Sequence, residues 1–145
     1  MIVVDSDTDE QPTLGFLLVR LGEAVDRRFV AALASLELRP RDLRALVLID
    51  RHPGSTQRAL ARRMPSDPGN LVALLDRLEV QGRVARRSDP DDRRRRTLEL
   101  TPDGEALLER AIAASAEAER AVLAPLKDRE RAALEAIALR LWRAT

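Results

Sequence analysis

VARRSDPDDRRRRTLELTPDG, residues 84–104, decides the fold. Val84 to Arg87 is a short run able to pair as a strand. Ser88 to Asp92 is a turn cluster around Asp89-Pro90. Arg93, Arg94, Arg95 and Arg96 follow without interruption. Thr97 to Leu100 alternates in polarity and predicts a second strand. Thr101-Pro102 then reads as a helix start, with a hydroxyl N-cap and proline in the first turn. The stretch is a β-hairpin that carries four guanidinium groups at its tip and feeds directly into a helix.

Upstream, the apolar residues recur at helical spacing. Leu14, Leu17, Leu18, Leu21, Val25, Phe29, Leu33 and Leu36 define a long amphipathic helix from Thr13. Pro40 opens a second helix, with Leu43, Leu46, Val47 and Ile49 inward, ending near Arg51 before Pro53-Gly54. Thr56 is the N-cap of a short third helix with Leu60 and Ala61 inward. Met64-Pro65-Ser66 interrupts it. Asp67 as N-cap and Pro68 at N1 begin a fourth, with Leu71, Leu74, Leu75 and Leu78 on one face. Gly82 supplies its C-terminal stop. Downstream, an alanine-rich helix runs to about Leu123. Pro125 ends it, and a last helix runs from about Asp128 to Arg143 with Leu134, Ile137 and Leu141 inward. Trp142 is expected to pack at its end.

Composition narrows the function. The chain has 145 residues, enough for one domain. Aromatics are 2% of it (Phe16, Phe29 and Trp142), so there is no stacking platform for single-stranded nucleic acid. Cysteine is absent and His52 is the single histidine, which excludes thiol chemistry and a histidine-rich metal site. No nucleophile motif, phosphate loop or metal-ligand spacing occurs, so neither an enzyme nor a cofactor is expected. Without a long apolar run or a signal pattern, no membrane partner and a cytoplasmic location are expected. Net charge is only +1, but its distribution is uneven. From Arg51 to Thr97 there are 12 Arg against 6 acidic residues, while the flanks are net acidic. A basic middle third on an acidic scaffold is the footprint of a double-stranded-DNA-facing module.

The third helix, fourth helix and hairpin together form a winged helix-turn-helix, in which the second helix of the pair enters the major groove. Pro68 and Gly69 keep its start low, and Asn70 can bond an adenine edge in bidentate fashion. Arg77, two turns later, is placed to reach phosphate. The amides at both helix starts are further phosphate donors, which brings Thr56 and Gln57 into the set. Arg93, Arg94, Arg95 and Arg96 would enter the neighbouring minor groove. Asp91 and Asp92 brace the wing loop by ion pairing. Arg62, Arg63, Arg86 and Arg87 are mostly ordinary surface charges.

LARRMPSDPGNLVALLDRLEVQG (Leu60 to Gly82), followed by RRSDPDDRRRRTLELTPDGEALL (Arg86 to Leu108), resembles the MarR family of bacterial regulators. The pattern lies at Asp89-Pro90, Asp92 and Arg94, then at Leu100-Thr101 with Gly104. The resemblance implies a mainly α fold with a small β-hairpin wing. A winged helix-turn-helix core at about 40–101 would be carried on N- and C-terminal dimerisation helices at about 13–36 and 102–144. Residues 12–145 then form one domain behind a disordered tail, residues 1–11. It also implies a homodimer on a pseudo-palindromic promoter site, repression of transcription, and release of DNA by a small phenolic or anionic effector. Arg20, Arg51 and His52 are the polar candidates for its pocket. Pro68, Gly69 and Ala73 stand where family members often carry Ser, Thr or Arg. Binding is therefore expected to lean on the arginine wing and on DNA shape. The alternative is a winged interaction module that does not read DNA.

Overall fold

The structure is a computed structural model that describes residues 12–64, 68–89, 92 and 94–144, with residues 68 and 69 described by their backbone alone. Its elements are α1 (Leu14–Ala34), α2 (Pro40–Arg51), β1 (Ser55–Thr56), α3 (Gln57–Arg63), α4 (Pro68–Val80), β2 (Val84–Ser88), β3 (Arg96–Leu100), α5 (Pro102–Leu123) and α6 (Asp128–Trp142). Threonine hydroxyls start three helices. Thr13 accepts the amide of Phe16 at 3.3 Å, Thr56 that of Ala59 at 3.2 Å, and Thr101 that of Gly104 at 3.0 Å. The expected break at Pro65-Ser66 and the expected cap Asp67 lie outside the described residues, as does the tail, residues 1–11.

The core lies inside the winged module. The stripe Leu71, Leu74, Leu75 and Leu78 of α4 is buried against Leu43, Leu46 and Ile49 of α2, Leu60 of α3, Val84 and Leu98 of the sheet, and Leu107, Leu108 and Ala111 of α5. The leucine spacing alone therefore determines which side of α4 faces inward and, by difference, which side faces solvent.

Two helix ends show the same closure. Arg83 N–H donates to the Leu78 carbonyl at 2.8 Å and Gly82 N–H to that of Glu79 at 2.9 Å, with Gly82 at φ +69°. At the end of α1, Leu38 N–H reaches Leu33 at 3.0 Å and Glu37 N–H reaches Ala34 at 3.0 Å. Both are Schellman motifs, but in the second the left-handed position is held by Glu37 at φ +57°. Leu38 is buried directly after it, so the turn is held by packing although its residue disfavours it. Glu37→Gly is expected to raise stability by about 0.5–1 kcal/mol, read as a higher urea midpoint at unchanged slope. A lower midpoint would show that the Glu37 side chain has a role of its own.

Three expectations need correction. The expected hairpin of β2 and β3 is present, but it does not stand alone, because β1 adds a third, antiparallel strand in the order β1-β3-β2. Gly54, at φ +75°, turns the chain so that its amide meets the Leu98 carbonyl at 3.3 Å, and Ser55 and Thr56 pair with Leu98 and Thr97. Leu134, Ile137 and Leu141 do not point into a core of this chain. All are exposed, and α6 has no buried residue. Trp142, at the helix end, is 79% exposed. The apolar side of α1, with Leu14, Leu18 and Leu21, is likewise exposed. Among the described residues no helix is long and apolar enough to cross a membrane.

Candidate nucleic-acid interface

The wing is built from backbone bonds as much as from charge. Strands β2 and β3 pair from Val84↔Leu100 to Ser88↔Arg96. Beyond them Asp89 N–H donates to the Arg95 carbonyl at 2.9 Å, and Arg95 N–H to that of Asp92 at 2.8 Å. Asp92, expected to brace the loop by ion pairing, makes a backbone contact among the described residues. Its Oδ1 accepts the backbone amide of Arg94 at 3.0 Å, an Asx turn. The side-chain brace is Arg95 Nε to Asp89 Oδ2 at 3.5 Å. Arg94 and Arg95 are exposed beside the tip. Arg96 is not in the tip loop: it opens β3 opposite Ser88, also exposed. Asp91 and Arg93 lie outside the described residues.

Arg86 ties this wing to α4. Its guanidinium bonds Asp76 at 2.6 Å and also Glu79, both on α4. Burial opposes its charged form, but the two carboxylates outweigh that and raise its pKa above the ordinary arginine value. Arg87 bonds Glu99 across the strands, which raises its pKa in the same direction. Neither is an idle surface charge. Arg86 sets the angle between the two elements expected to touch DNA.

Arg77 is held more firmly still. Its Nη2 and Nη1 bond Asp42 at 2.5 and 3.2 Å, and Asp42 also accepts the Arg39 amide at 2.9 Å. Asp42 is 1% exposed, the one buried charged residue among those described. Exposed pairs such as Arg20–Glu23 are worth at most about 1 kcal/mol. Removing one partner of a buried pair costs about 3–5 kcal/mol, because it strands the other charge. Arg77 is therefore first a residue that seats α4 on α2. Asp42 escaped the reading of the sequence. An acid at the third position after Arg39-Pro40 is a legible capping signal, but its partner lies 35 residues away.

The remaining predicted site residues fall on several elements. Asn70 is exposed one turn into α4, and Pro68 and Gly69 open that helix. Thr56 spends its oxygen lone pair on capping α3, leaving its hydroxyl proton to donate, and Gln57 is half-buried. Arg20, Arg51 and His52 are exposed on α1 and at the end of α2. Two cavities of about 580 and 510 Å³ flank α5, the first against α1 with Val25, Phe29, Asp26 and Glu119, the second against α6 with Leu134 and Trp142. Neither includes any of those three residues.

Comparison with known proteins agrees with this geometry. The MarR family model matches residues 36–95. The HTH-type transcriptional repressor Rv2887 of Mycobacterium tuberculosis is 35% identical over 118 residues, which is 81% of this chain and 84% of that protein. Its structure in complex with DNA superposes with a TM-score of 0.75 at 30% identity, covering 90% of this chain and 98% of that one. The same protein has been solved with salicylic acid, at a TM-score of 0.70 and 32% identity over 92% and 98%. Wild-type MarR from E. coli, in its apo form, gives a TM-score of 0.73 at 26% identity, covering 91% and 98%. The wing, the leucine-backed α4 and these relatives lead to one conclusion: the chain belongs to the MarR family of DNA-binding transcriptional regulators.

Proposed function

We propose that the chain is a homodimeric repressor that occupies a pseudo-palindromic promoter site and leaves it when a small aromatic anion binds. Each protomer inserts α4 into a major groove and its wing into the adjacent minor groove. Asn70 reads a base edge, Pro68 and Gly69 keep the start of α4 low, and the Thr56, Gln57 and Gly69 backbone meets phosphate. Arg93, Arg94, Arg95 and Arg96 supply the wing's charge. The observation that carries this reading is the fixed wing: Arg86 joins it to α4 through Asp76 and Glu79, so arginines and helix present one surface. Two exposed apolar rows, Leu14, Leu18 and Leu21 on α1 and Leu134, Ile137 and Leu141 on α6, support the dimer, since exposed apolar surface of this extent marks an interface. The salicylic acid complex of Rv2887 supports the effector class, for which Arg20, Arg51 and His52 remain the polar candidates.

Arg94→Ala is expected to weaken duplex binding by about 1–3 kcal/mol and to lower the salt slope by about one, measured by fluorescence anisotropy across a salt series. Unchanged affinity with an unchanged slope would remove the wing from the mechanism. Failure of the wild type to bind any duplex at low salt would favour the interaction-module reading instead.

A further inference from the structure

Between α4 and the start of α2 lies a shallow cavity of about 180 Å³, lined by Arg39, Arg41, Asp42, Asn70, Ala73 and Arg77. Three arginines and one carboxylate line it, and that carboxylate is buried and bonded by the Arg77 guanidinium and the Arg39 amide. The N-terminal end of α2, opened by Pro40, adds its positive dipole. The volume falls below the roughly 300–1,000 Å³ of pockets that take drug-sized ligands. It suits a small anion, not the effector.

We infer that this cavity seats one backbone phosphate of the duplex, and that Asp42 is a positioning residue that aims Arg77 at it. The inference rests on the DNA-binding reading above and adds a second phosphate anchor, on the far side of α4 from the wing's arginines. An arginine side chain carries five N–H donors. Asp42 takes two of those of Arg77, and three remain on a side chain that is 34% exposed. Because Asp42 fixes the Nη1–Nη2 edge of the guanidinium, little rotamer freedom is lost when the remaining donors meet phosphate. Asn70, Ala73 and Arg77 are spaced at three and four residues and share one face of α4. Asn70 and Arg77 stand about 10 Å apart along the axis, close to the roughly 12 Å width of the major groove. One can read a base edge while the other touches the bordering strand. Ala73 between them keeps that face low.

The test uses a duplex enriched from a random pool by the full chain, with single phosphates replaced in turn by neutral methylphosphonate. In the wild type, one replacement flanking each half-site is expected to cost about tenfold in affinity, as for one charged contact. In an Arg39→Gln/Arg41→Gln variant the same replacement is expected to cost clearly less than in the wild type, because only Arg77 is left to hold the phosphate. Equal losses in both proteins at every position would overturn the seat. Free phosphate has the same chemistry as a backbone phosphate. If inorganic phosphate protects the cavity arginines while no methylphosphonate position couples to them, the seat binds the ion and the inference fails.

Asp42→Asn adds a test of sign. Removing a negative charge beside DNA should tighten binding if only the long-range field mattered. The positioning role predicts about tenfold weaker binding and loss of the methylphosphonate effect, at unchanged helix content by circular dichroism. Binding as tight as the wild type or tighter would overturn it. If Asp42→Asn does not fold, Arg77→Lys decides, since it keeps the charge but not the two-pronged grip. Coupling that survives Arg77→Lys overturns the role of Asp42. Enrichment of a duplex without any coupling sinks this inference alone, whereas failure to enrich any duplex sinks the DNA-binding reading with it.

Discussion

Aspartate at both Leu21 and Ile137 is expected to yield a folded monomer that binds duplex about 10²–10⁴-fold more weakly than the wild type. The residues lie on α1 and α6, 53% and 47% exposed, within rows that stay open among the described residues. The core, by contrast, is drawn from α2, α3, α4, the sheet and the first turns of α5, with Leu33 and the partly buried Phe29 from the far end of α1 and nothing from α6. Charging the two rows therefore leaves the core of the winged module intact. What it removes is the link between two modules. Once the first half-site is occupied, the second wing and helix bind intramolecularly, and such coupling contributes about 10²–10⁴ in affinity without any new contact. Sedimentation equilibrium and anisotropy on the same preparation check both parts. A variant that stays dimeric would place the interface elsewhere. A monomer of unchanged affinity would make each module self-sufficient.

The second large effect concerns the joint between the wing and α5. A Cβ built on Gly104 overlaps the Arg83 carbonyl oxygen and lies 2.9 Å from its carbon. That oxygen is already engaged by the Thr101 amide at 3.2 Å, while the Thr101 hydroxyl donates to the Gly82 carbonyl at 2.6 Å and accepts from Gly104 N–H. The end of α4, the foot of the wing and the start of α5 thus close on one another through backbone atoms, which cannot rotate away as a side chain could. This is the physical content of the Leu100-Thr101 and Gly104 pattern. Gly104→Ala is expected to cost about 3 kcal/mol, the upper part of the range for inserting a methyl group where there is no room. At this chain length that is a fall in Tm of roughly 10 °C. It should also loosen DNA binding, since the wing shifts with α5. A fall of less than about 2 °C would show that α5 slides aside.

What was legible in the sequence was what repeats or punctuates. The Leu71 to Leu78 stripe reads as a buried helix face because its spacing is local, and it is buried. Pro40, Pro68 and Pro102 mark helix starts and Gly82 marks a stop because their backbone limits act on their own residues. What was hidden depends on distance along the chain. β1 has two residues, too few for any period, and exists because Gly54 delivers them to the open side of β3. Asp42 and Arg77, or Arg86 with Asp76 and Glu79, look like scattered charges until the fold joins them. Arg96 reads as one of four equal arginines, yet the strand register separates it from the tip. Leu134, Ile137 and Leu141 have the spacing of an inward face, but spacing does not say whether the covering surface belongs to the same chain.

The central claim is that two copies of this chain grip adjacent grooves of one duplex. Selection of bound sites from a random duplex pool, followed by sequencing, tests it most directly. The account predicts an inverted repeat whose half-sites lie about 10 base pairs apart, centre to centre, on one helical turn. No enrichment, or a single unrepeated half-site, would contradict it.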